Sequence, residues 1–187
     1  MSDEFHDFGM PDFFEPEAIG RPGNRRFRVI AQKSGRTASL WLEREDLQAL
    51  STAIQQVVSE LRGSDVLRVE GSETATTAPE PRAGFPDEPD VEFTVGRWAL
   101  GYDEENSTIV FLAASIDTVE TVEPAEDETI DPQFRISLST DEAEQFAHVA
   151  ESVVAAGRPR CPLCGRALNA PDEPHGCVKQ NGHRHLE

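Results

Sequence analysis

Apolar positions along this chain recur with two different periods, and each change of period marks an element. From Phe27 to Gln32 and from Arg36 to Leu42 two β-prone runs flank Lys33-Ser34-Gly35, a connection short enough for a hairpin with its glycine at positive φ. From Glu43 to Arg62 the apolar residues Leu47, Leu50, Ile54, Val57, Val58 and Leu61 fall three and four apart, the stripe of an amphipathic helix that Gly63 ends. Its apolar face must cover the hairpin. A second strand pair, Val91 to Gly101 and Thr108 to Ile116, is joined across the polar turn Asp103-Glu104-Glu105-Asn106. A further strand, Gln133 to Ser139, leads through Thr140-Asp141-Glu142 into a helix carrying Ala143, Phe146, Val149, Ala150, Val153 and Val154. Thr140 is the expected N-cap, with acids in the first turn favouring the helix dipole.

Three stretches lack either period. Residues 1–18 hold Phe5, Phe8, Phe13 and Phe14 among acids and prolines, so a loose N-terminal arm is expected that docks, if at all, by its aromatics. Residues 64–90 read as a flexible insertion rich in Thr, Ala, Pro, Gly and Glu, and Glu120 to Pro132 as an acidic loop. A shift of 96 residues places Leu40 on Ile136, Leu42 on Leu138, Leu50 on Phe146 and Val57-Val58 on Val153-Val154. A duplicated ββα unit would give this agreement, and so would any two strand-helix pairs. The pattern predicts an α+β domain over 19–157: an antiparallel sheet of about five strands with two amphipathic helices packed on it. A small C-terminal segment, 158–187, follows.

Charge sharpens the division. The 187 residues carry a formal net charge of -18, and between Phe85 and Phe134 fourteen acids accompany one base, Arg97. That middle region repels nucleic acid. From Gly157 onward five bases face three acids, so any contact with a polyanion belongs there. No run approaches the roughly 18 apolar residues of a membrane span, and the acidic start does not resemble an export signal. A soluble, cytoplasmic protein with no membrane partner is expected.

The three cysteines fall in Arg160-Cys161-Pro162-Leu163-Cys164-Gly165 and His175-Gly176-Cys177. Thiolates at i and i+3 can chelate one ion while following amides hydrogen-bond the sulfurs, and a third thiolate with one imidazole completes a tetrahedral Cys3His zinc site. The ligands expected are Cys161, Cys164, His175 and Cys177. His183 and His185 compete for the fourth position, and His175 leads because it lies beside Cys177 and inside the loop. The segment has few apolar residues of its own, so metal would have to hold it together. A disulfide leaves one cysteine over and suits an exported protein; a redox C-x-x-C should open a helix, which Pro162 and Gly165 oppose. No His-x-Glu precedes Cys161, as a zinc deaminase would require. With four protein ligands the ion has no open position and is expected to be structural.

Further segments carry a family resemblance. Gly20-Arg21-Pro22-Gly23-Asn24-Arg25, Val95-Gly96, the run Val153 to Gly165, and His175 to His183 are together similar to the actinobacterial family known as domain of unknown function 3090. The chain departs from that pattern at Val178 for Pro, Lys179 for Arg and His183 for Tyr. The resemblance implies no particular activity. It implies a phosphate-related context, because family members commonly neighbour a histidine-phosphatase-like and a phosphoinositide-kinase-like protein.

In that context Gly20, Gly23, Arg25 and Arg26 form a candidate anion-binding loop, glycine amides and arginines converging on a phosphate, with Arg97 as a further contact. The simpler reading is a Pro-Gly turn whose arginines alternate outward along a strand. Three functions follow: a non-catalytic module docking a protein partner, with a zinc-stapled tail; a protein that binds or processes a phosphorylated small molecule; and a nucleic-acid binder acting through the tail, disfavoured by its slight positive charge and lack of aromatics. No nucleophile-base pattern points to catalysis.

Overall fold

The computed structural model describes residues 5–21, 24–63, 81–119 and 131–156, with residues 161, 163, 164, 166, 168 and 175–177. The insertion over 64–80, the acidic loop over 120–130, Gly23, His183 and His185 lie outside the described residues. In chain order the elements are β1 (His6–Asp7), β2 (Phe13–Arg21), β3 (Asn24–Lys33), β4 (Arg36–Leu42), α1 (Arg44–Arg62), β5 (Val91–Asp103), β6 (Thr108–Ser115), α2 (Ile116–Val119), β7 (Phe134–Leu138) and α3 (Thr140–Ala156).

The strands form one mixed sheet of seven, in the order β1-β7-β6-β5-β4-β3-β2. This corrects the expectation of about five antiparallel strands: β1 runs parallel to β7, and β4 runs parallel to β5. Both parallel pairs have the same cause. β5 starts alongside β4 through Val91 to Thr94, bends at a bulge between Val95 and Arg97, and continues antiparallel to β6. The N-terminal stretch likewise pairs with β7 at His6 and Asp7 and then joins β3 from Phe13 onward. The six Cα steps from Asp7 to Phe13 reach at most about 20 Å, whereas the edges of a flat seven-stranded sheet lie about 29 Å apart. The sheet must therefore curl. Phe14 of β2 accordingly meets Phe111 of β6, ring centroids 5.8 Å apart, and stacks on Phe146 of α3 at 4.7 Å.

Each half of the fold is thus three successive antiparallel strands followed by a long helix. The β3–β4 hairpin closes through Ser34 (φ 50) and Gly35 (φ 85), as its sequence implies. Gly96 sits at the bend of β5, where a Cβ would come within 2.6 Å of the Ile116 backbone. Alternate residues of the sheet, among them Val29, Leu40, Phe111 and Ile136, share one core with Leu47, Leu50, Ile54 and Val58 of α1 and with Phe146, Ala150 and Val153 of α3. The helices touch where Ser51 Oγ donates to the carbonyl of Ala147, positions separated by the offset of 96. Arg62 of α1 also bridges to Asp141 and Glu144 of α3.

Three local expectations are corrected. The N-terminal arm is not loose, because Phe8 and Phe14 are buried in the core and Phe8 packs on Phe134 at 5.0 Å. The cap of α3 is Ser139, not Thr140: Ser139 N–H and Oγ donate to the Glu142 carboxylate, whose own N–H faces Ser139 Oγ at 3.3 Å, a capping box. The last part of the expected insertion, 81–90, is docked on the sheet. Arg82 N–H donates to buried Glu17, which also pairs with Arg28 at 2.9 Å, and Asp90 accepts from Thr37 N–H and Oγ1 at 2.7 and 2.9 Å. No helix among the described residues is long and apolar enough to cross a membrane.

Candidate metal centre

The C-x-x-C turn is closed by its own backbone, where Cys161 N–H donates to the Arg166 carbonyl at 2.8 Å. Within this turn the amides of Cys164 and Leu163 point at the Cys161 sulfur and pull its thiol down to about 6. Partial positive charge on an N–H stabilises a thiolate as an approaching cation does. The Arg166 amide does the same for Cys164, but burial and the neighbouring Cys161 and Cys177 sulfurs outweigh it, so that thiol is pushed up. Two sulfurs in contact cannot both ionise freely, and a divalent ion between them removes that penalty.

The remaining donors come from the second segment. Cys177 Sγ lies 3.9 Å from Cys161 Sγ, and His175 Nε2 lies 3.5 Å from Cys164 Sγ. All four ligand atoms fall within 4.8 Å of one another, so the cluster could hold a metal ion. A tetrahedral ion with sulfur ligands at about 2.3 Å separates those sulfurs by about 3.8 Å. The donor set therefore fits zinc in both chemistry and spacing. Among the described residues around it, only Leu168 joins Cys161 and Cys177 as a buried apolar residue, with Cys164 half-buried. Sequence spacing brings the same four residues together, and their juxtaposition needs no helix or strand.

Of the anion loop, Gly20, Arg25 and Arg26 are described, and Gly23 lies outside the described residues. Gly20 pairs with Arg25 and Arg21 with Asn24 at the tip of the β2–β3 hairpin. Gly20 has φ 107, and a Cβ there would meet the Asn24 carbonyl at 2.6 Å, so the turn itself requires this glycine. Arg25 and Arg26 are neighbours in β3, and successive strand residues point to opposite faces. Arg26 lies over the Trp41 ring at 4.0 Å, while Nε and Nη1 of Arg25 are buried without a hydrogen-bond partner among the described residues. Arg97 stands on β5, two strands from β3. Among the described residues these arginines do not converge on one point, which is what a phosphate cradle with Gly20 and Gly23 would need. His148 lies exposed on α3 and belongs to no group of metal-ligating residues among the described residues.

The family profile described as "Protein of unknown function (DUF3090)" matches residues 6–177, from β1 through the last cysteine. No curated protein and no solved structure gives a match.

Proposed function

The chain belongs to the DUF3090 family, and from that premise we propose that it is a non-catalytic protein-interaction module whose C-terminal segment is stapled by a structural zinc ion. The observation that carries the reading is the convergence of Cys161, Cys164, His175 and Cys177 within 4.8 Å. Three thiolates and an imidazole fill the tetrahedron zinc prefers, leaving no position for substrate or water, so the ion's role is to hold backbone in place. With so small an apolar cluster among its described residues, the segment gains its folded form through metal binding. What it then presents is a rigid surface beside a strongly acidic body, which suits a protein partner.

Metal content by mass spectrometry tests this. Purified under reducing conditions, the protein should carry about one zinc per chain. The ion should be lost in Cys161→Ser, Cys177→Ser and His175→Ala and kept in His183→Ala. Protein without metal, or retention in His175→Ala with loss in His183→Ala, would refute the ligand set.

A further inference from the structure

The curl of the sheet leaves one seam unpaired. The chain stays bonded to β7 beyond Asp7, Phe8 N–H donating to the Arg135 carbonyl and Ser137 N–H to the Gly9 carbonyl, and β2 then takes the opposite edge of the sheet. Between β2 and the first half of α3 lies a groove of about 410 Å³, with Leu138 at the end of β7 on its wall. A volume of that order holds a small ligand or a few residues of peptide. Its apolar surface comes from Phe13 and Phe14 on one side and Phe146 and Val149 on the other.

Backbone geometry makes the β2 side a strand edge. The two-residue turn makes Lys33 and Arg36 a hydrogen-bonded pair, and such pairs alternate along antiparallel ladders. Phe13, Glu15 and Glu17 therefore bond β3, whereas Phe14, Pro16 and Ala18 turn their peptide groups away from it. Pro16, which has no N–H, stands where none is needed by the ladder. Among the described residues no other strand bonds the outward groups around Phe14, and a short added strand would bond there.

Charge selects the occupant. Asp12, Glu15, Glu17 and Glu142 line the groove, and among the described residues no lysine, arginine or histidine does. Glu15 and Glu17 are balanced by Arg82 and Arg28. Asp12 accepts only from Ser34 N–H and Glu142 only from Ser139, and among the described residues neither has a cationic partner. Among the described residues, two carboxylates without an ion-pair partner thus flank an apolar floor beside the outward edge of β2. We propose that this groove docks a short extended segment of a partner protein, adding to β2, with an apolar side chain against Phe14 and Phe146 and flanking Lys or Arg side chains on Asp12 and Glu142. The proposal rests on the interaction reading above and is independent of the metal.

The test uses fluorescein-labelled hexapeptides in anisotropy titrations against the full chain, with metal content measured on the same samples. The probes alternate Arg with Val, Glu with Val, and Arg with Ser. The Arg-Val peptide should bind best. Asp12→Asn with Glu142→Gln, which keeps both acceptor roles while removing the charges, should weaken it roughly tenfold, and Gln145→Arg should do the same by placing a cation in the groove. Circular dichroism of each variant should match the parent. Equal binding of the parent and both variants would mean attraction to overall negative charge, overturning the proposal, as would a preference for the Glu-Val peptide. A concentration-dependent dimer abolished by Gln145→Arg would assign the groove to a second copy and overturn it too. Absence of peptide binding in zinc-loaded protein overturns the groove alone; peptide binding by protein without zinc overturns the metal reading alone.

Discussion

The sheet with its two long helices and the cysteine segment solve the same problem with different means. The first encloses many fully buried apolar side chains, with Phe111, Phe134, Ile54 and Leu138 in one continuous core. Among its described residues, the second encloses Leu168 and two cysteines. Apolar burial of roughly 25 cal/mol per Å² can offset the entropy of ordering the first, and the described residues of the second offer little of it. In the proposed reading donor chemistry replaces packing there, since zinc-peptide binding of about 10–16 kcal/mol would suffice. On that reading the chain changes its source of stability within a few residues of a helix end.

The contrast is broken most strongly by removing the metal. Chelation, or Cys177→Ser, should abolish amide protection around Cys161, Cys164 and Cys177 in hydrogen exchange while the thermal midpoint of the body stays where it was. Simultaneous loss of both would mean that the two regions share one source of stability. Next comes Phe111→Ala, which empties a fully buried site beside Phe14 and should cost about 3–5 kcal/mol in denaturant unfolding without altering metal content. Smaller still is Ser139→Ala, expected to cost about 1 kcal/mol through the lost capping box, against little change for Thr140→Ala.

The smallest effect is a matter of pH. Hydrogen bonds from the Thr37 amide and then its hydroxyl hold the Asp90 carboxyl below the usual range. A carboxyl lowered on folding stabilises above its unfolded value and loses that contribution as pH falls through the folded one. Thr37→Val, which removes only the hydroxyl, should therefore lie below the parent in urea midpoint near neutrality and converge on it below about pH 4. A gap that widens in acid would contradict the assignment.

Much of the fold is legible in local sequence rules. The spacing of three and four in α1 and α3, the Lys33-Ser34-Gly35 turn and the cysteine pattern each encode one such rule, and each holds in the fold. The N-terminal strands are hidden because β2 breaks those rules: Pro16 interrupts it, and Glu17 is buried against Arg28 where a polar residue signals solvent. Phe14, Pro16 and Ala18 alternating with Phe13, Glu15 and Glu17 is the signal that reveals it. The mixed order of the sheet depends on which edges meet, a long-range fact that periodicity does not carry. Arg25 and Arg26 mislead for the opposite reason, since adjacency in sequence means opposite faces in a strand. The cap shifts by one residue because Ser139 and Thr140 are both good N-caps, and only the reach of Glu142 decides between them.

Zinc K-edge absorption spectroscopy of the purified protein addresses the metal centre most directly. Three sulfurs at about 2.3 Å and one imidazole nitrogen at about 2.0–2.1 Å are expected, with the nitrogen replaced in His175→Ala. A shell dominated by oxygen, or two sulfurs with the third cysteine outside it, would contradict a closed Cys3His staple.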